Sequence, residues 1–158
     1  MYQRKAVFCL GKSNFQLAKK IAIFLEAELH VNSNRIQSEE DIPQVDVFFS
    51  DAMDHLSNLF RDGVGIIGVC SSAILIRGVA KYLKDKKNEP PVIAIGQETL
   101  VDGTNSYVVP LLGGHHGANE LANKIAEFLG TIPAITSTGD LRFGIALDEP
   151  PTSFELVN

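Results

Sequence analysis

Short apolar runs that alternate with helical patterns are the feature that most restricts the fold of this chain. Residues 5–10 (KAVFCL) and 65–69 (GIIGV) are apolar almost throughout. Such runs are typical of strands that are buried on both faces of a sheet. Residues 45–49 (VDVFF) and 92–96 (VIAIG) are further strand candidates.

Helical spacing of apolar residues fills the intervals between these strands. It predicts helices from Ser13 or Asn14 to about Glu28, over 50–63, from Ser71 or Ser72 to Leu83, and over 118–129. This alternation predicts a three-layer α/β fold, in which a mostly parallel, open sheet carries helices on both faces.

Weaker patterns complete the predicted sheet. We expect a short edge strand at 28–32, a strand at 107–112, a last strand at 134–138, and a hairpin turn around Asp102-Gly103. One α/β domain is therefore expected over residues 1–140. Residues 141–158 are polar and rich in proline, so we expect a tail or a linker towards a further domain.

Composition excludes several classes of function. A net charge of −5 argues against nucleic acid as the main partner, since phosphate binding needs a basic surface. No apolar run is long enough for a signal peptide or a membrane helix. Cys9 and Cys70 lie in apolar runs, which is typical of buried thiols in a reducing compartment. We therefore expect a cytoplasmic protein.

The lysines of residues 81–87 (KYLKDKK) have two interpretations. They could bind an anionic ligand, or they could form a solvated helix end, where cations suit the helix dipole.

Two strand-to-helix turns carry candidate groups. Gly11-Lys12-Ser13 resembles a phosphate loop, but that motif needs a glycine at position 6, where Ala6 stands. A plain turn is expected there. Ser71 and Ser72 follow the strand at 65–69. They either cap the next helix or hold an anionic group of a substrate with their amides and hydroxyls.

Residues 113–117 (GGHHG) directly precede the predicted helix at 118–129. Gly113, Gly114 and Gly117 allow positive φ and close approach of the backbone to a ligand. One of the two histidines, His115 or His116, could bind a carboxylate or transfer a proton near neutral pH. Neither a zinc motif nor a cysteine partner is present. The alternative is structural glycines followed by a surface histidine pair.

Residues 136–140 (TSTGD) add hydroxyls and a carboxylate after the predicted last strand. In a parallel sheet the carboxyl ends of the strands meet at one edge. We therefore expect the loops at 70–72, 113–117 and 136–140 to converge there.

Residues 63–140 resemble the N-terminal region of cobalt-precorrin-5A hydrolase, a family of cobalamin biosynthesis. The resemblance is carried by Lys84-Asp85-Lys86, by the segment 110–122 (PLLGGHHGANELA), and by Thr136 with Asp140. The loop is one residue shorter than the family's SGHxGGAN pattern and has an additional histidine. Residues 140–158 are similar to proteins in which this region precedes a precorrin-3B methyltransferase domain.

The resemblance implies a cobalt corrinoid ligand and hydrolytic opening of its δ-lactone with loss of acetaldehyde. It implies His115 as acid/base and Asp140 as the group that orients the histidine or the water. The substrate-binding candidates are Ser71, Ser72, Gly113, Gly114, His116, Gly117, Asn119, Thr136 and Thr138. No cofactor is expected beyond the cobalt of the substrate.

Two alternatives belong to other classes. One is a noncatalytic corrinoid-binding or interaction module, serving a fused or partner methyltransferase. The other is a flavodoxin-like binder of a different small molecule.

Overall fold

A six-stranded sheet forms the middle layer of the protein, as seen in a computed structural model. The structure describes residues 4–36 and 42–137, without the side chains of Ile42 and His115. The strands are β1 Lys5–Cys9, β2 Glu28–Asn32, β3 Val47–Phe49, β4 Gly65–Val69, β5 Val92–Leu100 and β6 Gly103–Leu112. The helices are α1 Phe15–Leu25, α2 Ala52–Arg61, α3 Ser72–Val79 and α4 Ala118–Leu129.

The strands follow the order β3-β2-β1-β4-β5-β6. The first five are parallel, and β6 pairs antiparallel with β5. The predicted three-layer, mostly parallel α/β fold is confirmed. The predicted edge position of 28–32 is wrong, because β2 pairs with strands on both sides. Its apolar residues Leu29 and Val31 are fully buried, which an interior position requires.

Two of the described helices cover each face of the sheet. Helices α1 and α4 pack on one face, where Ile21 and Leu25 meet Ile125 above the side chains of β1, β4 and β5. Helices α2 and α3 pack on the other face through residues such as Leu56 and Leu75. Apolar burial on both faces explains why β1 and β4 are apolar along their whole length.

The predicted hairpin around Asp102-Gly103 is confirmed, and its strands are longer than expected. Leu100 pairs with Gly103 across a two-residue turn, and the ladder runs back until Leu112 lies opposite Val92. A turn this short joins only antiparallel strands. Strand β6 therefore ends at the edge of the sheet where the parallel strands begin.

Residues 131–137 follow α4 without forming a strand, so the predicted strand at 134–138 is wrong as far as Ser137. One backbone hydrogen bond, from Ala134 N to Val108 O at 2.8 Å, ties the segment to β6. The preceding Pro133 has no N–H to extend a ladder. Thr138, Asp140 and the predicted tail at 141–158 lie outside the described residues. None of the described helices is long and apolar enough to cross a membrane.

Candidate functional site

The three loops that were expected to converge lie at two opposite edges of the sheet. Ser71 and Ser72 follow β4, at the edge where the parallel strands end. Gly113 follows β6, at the edge where they begin. The predicted convergence of all three loops at one edge is wrong, because it assumed that every strand runs in the same direction.

Ser71 and Ser72 lie at the sheet edge beside the boundary between β1 and β4. At this boundary the strand order changes direction, because β2 and β3 lie on one side of β1 and the later strands lie on the other. Ser71 Oγ accepts a hydrogen bond from Ala73 N at 3.3 Å and so caps α3. Across the crevice, Asn14 Nδ2 donates to Val69 O at 3.3 Å instead of capping α1. These side chains hold the turns in place, and ligand binding by Ser71 and Ser72 stays a prediction.

The opposite edge carries a pocket of about 170 Å³, which we call the arm pocket. It is lined by residues 110–112 of β6 and by Gly114, Ala118, Asn119, Thr136 and Ser137. The fold thus brings together three of the predicted binding residues, Gly114, Asn119 and Thr136, although not for the predicted reason. They meet because α4 and the segment after it return to the end of β6.

Gly113 and Gly114 have different surroundings. Gly113 has φ +80°, and a Cβ at this position would lie 2.6 Å from the carbonyl group of Pro90 and from Pro91 Cα. Gly113 is therefore in close contact with the protein's own backbone, and not with the ligand expected from the sequence. Around Gly114, no described atom lies within 4 Å of an added Cβ, so this residue faces open space at the pocket. Gly117 also has positive φ, +79°, but is not crowded.

His116 is bound to a distant turn of the chain. Its Nε2 donates a hydrogen bond to the backbone carbonyl of Lys87 at 2.6 Å, and this contact fixes the proton on Nε2. The residue belongs to a short 3₁₀ turn, Gly114–His116, which also contains the backbone of His115. The Nε2 hydrogen of His116 is thus engaged in a hydrogen bond that holds the loop in place.

Polar donors form one wall of the arm pocket. Helix α4 begins after Gly117, and no side chain of a described residue caps its N-terminus. The positive end of the helix dipole favours an anionic group there. Asn119 Nδ2 donates to Ser137 Oγ at 2.8 Å, which joins the two sides of the pocket. The arrangement is suited to holding a carboxylate.

The size of the arm pocket limits what it can hold. Sites for drug-sized ligands are roughly 300–1,000 Å³, so a space of about 170 Å³ fits one small group, such as a carboxylate side arm, rather than a whole large ligand. Among the described residues, no group of three or more His, Cys, Asp or Glu side chains could hold a metal ion.

Sequence reasoning missed the partners that shape this site. The carbonyl of Lys87 and the backbone of Pro90-Pro91 hold the loop at 113–117 from more than twenty residues away. Backbone contacts of this kind leave no residue-type signal. One signal was present: the predicted hairpin turn around Asp102-Gly103 already implied that β6 is antiparallel.

Fold and pocket together define a three-layer α/β protein with a carboxylate-sized polar pocket at one edge of its sheet. Residues 54–140 match the family described as cobalamin synthesis G, N-terminal. This match covers more than half of the chain, and the chain belongs to that family.

Relatives agree with this assignment. The chain is 30% identical over 145 residues to a cobalt-precorrin-5A hydrolase of Priestia megaterium, and 31% identical over 144 residues to one of Salmonella typhimurium (strain LT2). Each alignment covers 90% of this chain, but only 37% and 38% of the relative. The chain thus spans less than two-fifths of the length of these relatives.

A solved structure is similar along most of the chain. It is a cobalamin biosynthesis protein G homolog from Sulfolobus solfataricus, with 25% identity and a TM-score of 0.58. The match covers 86% of this chain and 37% of that one. The structure therefore supports the same family and the same α/β fold.

Proposed function

We propose that this chain binds cobalt-precorrin-5A and takes part in the hydrolytic opening of its δ-lactone, with loss of acetaldehyde. The observation that carries this proposal is the arm pocket, found in a chain similar to proteins named cobalt-precorrin-5A hydrolase. A corrinoid intermediate of this kind carries acetate and propionate arms that end in carboxylates. One such arm matches the pocket in size and in charge.

The arm pocket offers a carboxylate two kinds of stabilisation. The N-terminal end of α4 supplies the positive end of a helix dipole. The amide of Asn119 and the hydroxyls of Thr136 and Ser137 supply hydrogen-bonding groups on the pocket wall. Backbone positions around Gly114 leave room for the arm, because this residue faces open space.

Hydrolysis of the lactone needs a base and an oxyanion donor. Water attacks the carbonyl carbon, the acyl C–O bond breaks, and a carboxylate and a hydroxyl remain. A base then takes the proton of that hydroxyl, its oxygen forms a C=O bond, and the C–C bond to the macrocycle breaks. The electron pair of the broken bond stays on the macrocycle, and acetaldehyde leaves. We assign the base to His115, next to the arm pocket in sequence, and the oxyanion donors to backbone amides around Gly114 and Gly117.

The two histidines receive different roles in this proposal. His116 has its Nε2 hydrogen bound to the Lys87 carbonyl, so we assign it to positioning of the loop. His115 is then the residue for proton transfer, with Asp140 as the group that orients it. Cobalt enters as part of the substrate, and no cofactor of the chain's own is proposed.

We place the reaction in the cytoplasm. Cys9 is buried, Cys70 is partly buried, and both are free thiols, which is typical of proteins from a reducing compartment.

The test is acetaldehyde release under anaerobic conditions from cobalt-precorrin-5A, with binding followed by the corrinoid absorption spectrum. We expect wild type to release acetaldehyde and the His115→Ala variant to bind the corrinoid without release. The neighbouring His116→Ala variant is the matched control. It should bind more weakly, because its loop is no longer held, and should still release acetaldehyde at saturating substrate.

Other outcomes point elsewhere. Release that survives His115→Ala removes this residue from the chemistry. Absence of both release and a spectral shift with wild type contradicts the corrinoid assignment altogether.

A second candidate function is a noncatalytic corrinoid-binding module, attached to or partnered with a precorrin-3B methyltransferase. The observation that favours it is the lining of the arm pocket, because none of the described residues that line it has a titratable side chain. A spectral shift without acetaldehyde release, in wild type and variants alike, would select this function.

A further inference from the structure

Three exposed lysines lie on a turn just before β5. Lys84, Lys86 and Lys87 all have exposed side chains. The turn is built by Asp85, whose carboxylate accepts hydrogen bonds from Lys87 N at 3.0 Å and from Asn88 Nδ2 at 2.7 Å. The one acidic group between these lysines is therefore occupied in holding the turn. We call residues 84–88 the lysine turn.

The lysine turn is fastened to the arm pocket by a single short element. The 3₁₀ turn Gly114–His116 lines the pocket at its first residue and binds the carbonyl of Lys87 through its last. Because a 3₁₀ helix rises about 2.0 Å per residue, the two contacts are only a few ångströms apart along its axis. Pocket and lysine turn therefore lie side by side at the same edge of the sheet.

This neighbourhood matters because the arm pocket holds only part of a large ligand. A volume of about 170 Å³ accommodates one carboxylate arm, so the macrocycle and its other arms must lie outside. A corrinoid ring is wider than the 3₁₀ turn, and arms on its far side would reach past His116 towards the lysine turn. Ammonium groups are well-matched partners for such carboxylates.

We propose that the lysine turn is the second half of the corrinoid site, where Lys84, Lys86 and Lys87 bind peripheral carboxylates of a ligand whose first arm occupies the arm pocket. This inference rests on the proposed function and deepens it by assigning residues that select a polycarboxylate. His116 then couples the two halves, since it holds the lysine turn against the loop that lines the pocket.

The test compares a triple variant, Lys84→Gln with Lys86→Gln and Lys87→Gln, with a matched triple variant at exposed lysines elsewhere, Lys12→Gln with Lys20→Gln and Lys124→Gln. Both lose the same charge. The probes are cobyrinic acid, which has free carboxylate arms, and its heptamethyl ester, which has none. Binding is followed by corrinoid absorbance at low and high salt, and acetaldehyde release from cobalt-precorrin-5A is measured in parallel.

We expect the lysine-turn variant to lose about tenfold in affinity for cobyrinic acid, because it loses three exposed ion pairs between lysines and ligand carboxylates, each of modest strength. Its affinity should also depend less on salt. The matched variant should bind like wild type, and the ester should bind equally to all three proteins.

Equal loss in both triple variants, or no loss in either, overturns the lysine turn as a specific site while the proposed function stands. Failure of wild type to bind cobyrinic acid and to release acetaldehyde overturns both proposals.

Discussion

The Nδ1 of His30 lies 2.8 Å from the Nε2 of His55, and the Nε2 of His30 lies 2.9 Å from a carboxylate oxygen of Glu28. With both rings neutral, His30 donates to Glu28 and accepts from His55. Arg4 holds Glu28 from the other side, at 2.8 Å. His30 is 1% exposed, His55 is half-buried, and Arg4 and Glu28 lie at the surface, so this network joins β2 to α2 and runs from the interior to the surface.

This histidine pair predicts that acid destabilises the fold. Burial lowers the pKa of His30, and it lowers the pKa of His55 from 6.5 to about 4. Between pH 6.5 and about 4 the unfolded chain binds more protons than the folded one, so stability falls as the pH falls through that window. Urea unfolding over this pH range checks the prediction, and a flat profile would contradict it.

A His55→Phe variant tests the cause. Phenylalanine retains the stacking on Phe49, whose ring centroid lies 4.5 Å from that of His55. It removes one titrating group and leaves Nδ1 of His30 without its partner. We expect a loss of about 1–3 kcal/mol near neutral pH, together with a shallower dependence on pH. A slope equal to that of wild type would assign the acid effect to other groups.

The glycines of residues 113–117 predict a graded series of stabilities. Gly113→Ala combines positive φ with a clash against the backbone of Pro90-Pro91, so we expect a loss of about 3 kcal/mol. Gly117→Ala introduces the strain of positive φ without a clash, so we expect a loss of about 1 kcal/mol in the free energy of unfolding. Gly114→Ala has neither and should change stability by less than about 0.5 kcal/mol. Urea denaturation of the three variants measures the order, and equal losses would refute it.

The close contact between α2 and α3 predicts that two destabilising substitutions, one on each helix, partly compensate each other. A Cβ on Gly78 would lie 2.7 Å from the Cβ of Leu56, so Gly78→Ala overpacks the core and should cost about 1–3 kcal/mol. Leu56→Ala alone should cost about 2–5 kcal/mol. In the double variant the alanine occupies vacated space, so the combined loss should be smaller than the sum. Strict additivity in a double-mutant cycle would show that the close approach is not limiting.

Corrinoid affinity tests the arm pocket, given the proposed function. Asn119→Ala removes an amide donor that reaches Ser137 across the pocket, and we expect about a tenfold weaker binding of cobyrinic acid. Asn123→Ala is the matched control, because Asn123 is an exposed residue of the same helix. Equal affinities of the two variants would remove Asn119 from the site.

Much of the fold could be predicted because its elements have strong local patterns. The continuous apolar runs of β1 and β4 predict strands covered on both faces, and both lie in the interior of the sheet. The helical spacing at 118–129 predicts α4 to the residue. Residues 134–137 form no strand, although the prediction had one at 134–138, because only the N–H of Ala134 binds β6 and Pro133 before it has no N–H to extend a ladder, which apolarity alone does not reveal.

The candidate site was only partly predictable. The sequence indicated Gly114, Asn119 and Thr136, which the fold brings to one pocket. It gave no indication that Gly113 is buried against Pro90-Pro91 or that His116 is bound to Lys87. Those contacts depend on which backbone segments become neighbours, and that is set by the path of the whole chain.

By itself, then, the sequence determined the family, the alternation of strands and helices, and the residue types of the polar loops. The tertiary structure alone decided which loops meet. A single antiparallel strand, β6, carries residues 113–117 to the edge opposite Ser71 and Ser72 and beside the lysine turn. The physical reason is that strand direction is a property of pairing between distant segments, whereas apolar periodicity is local.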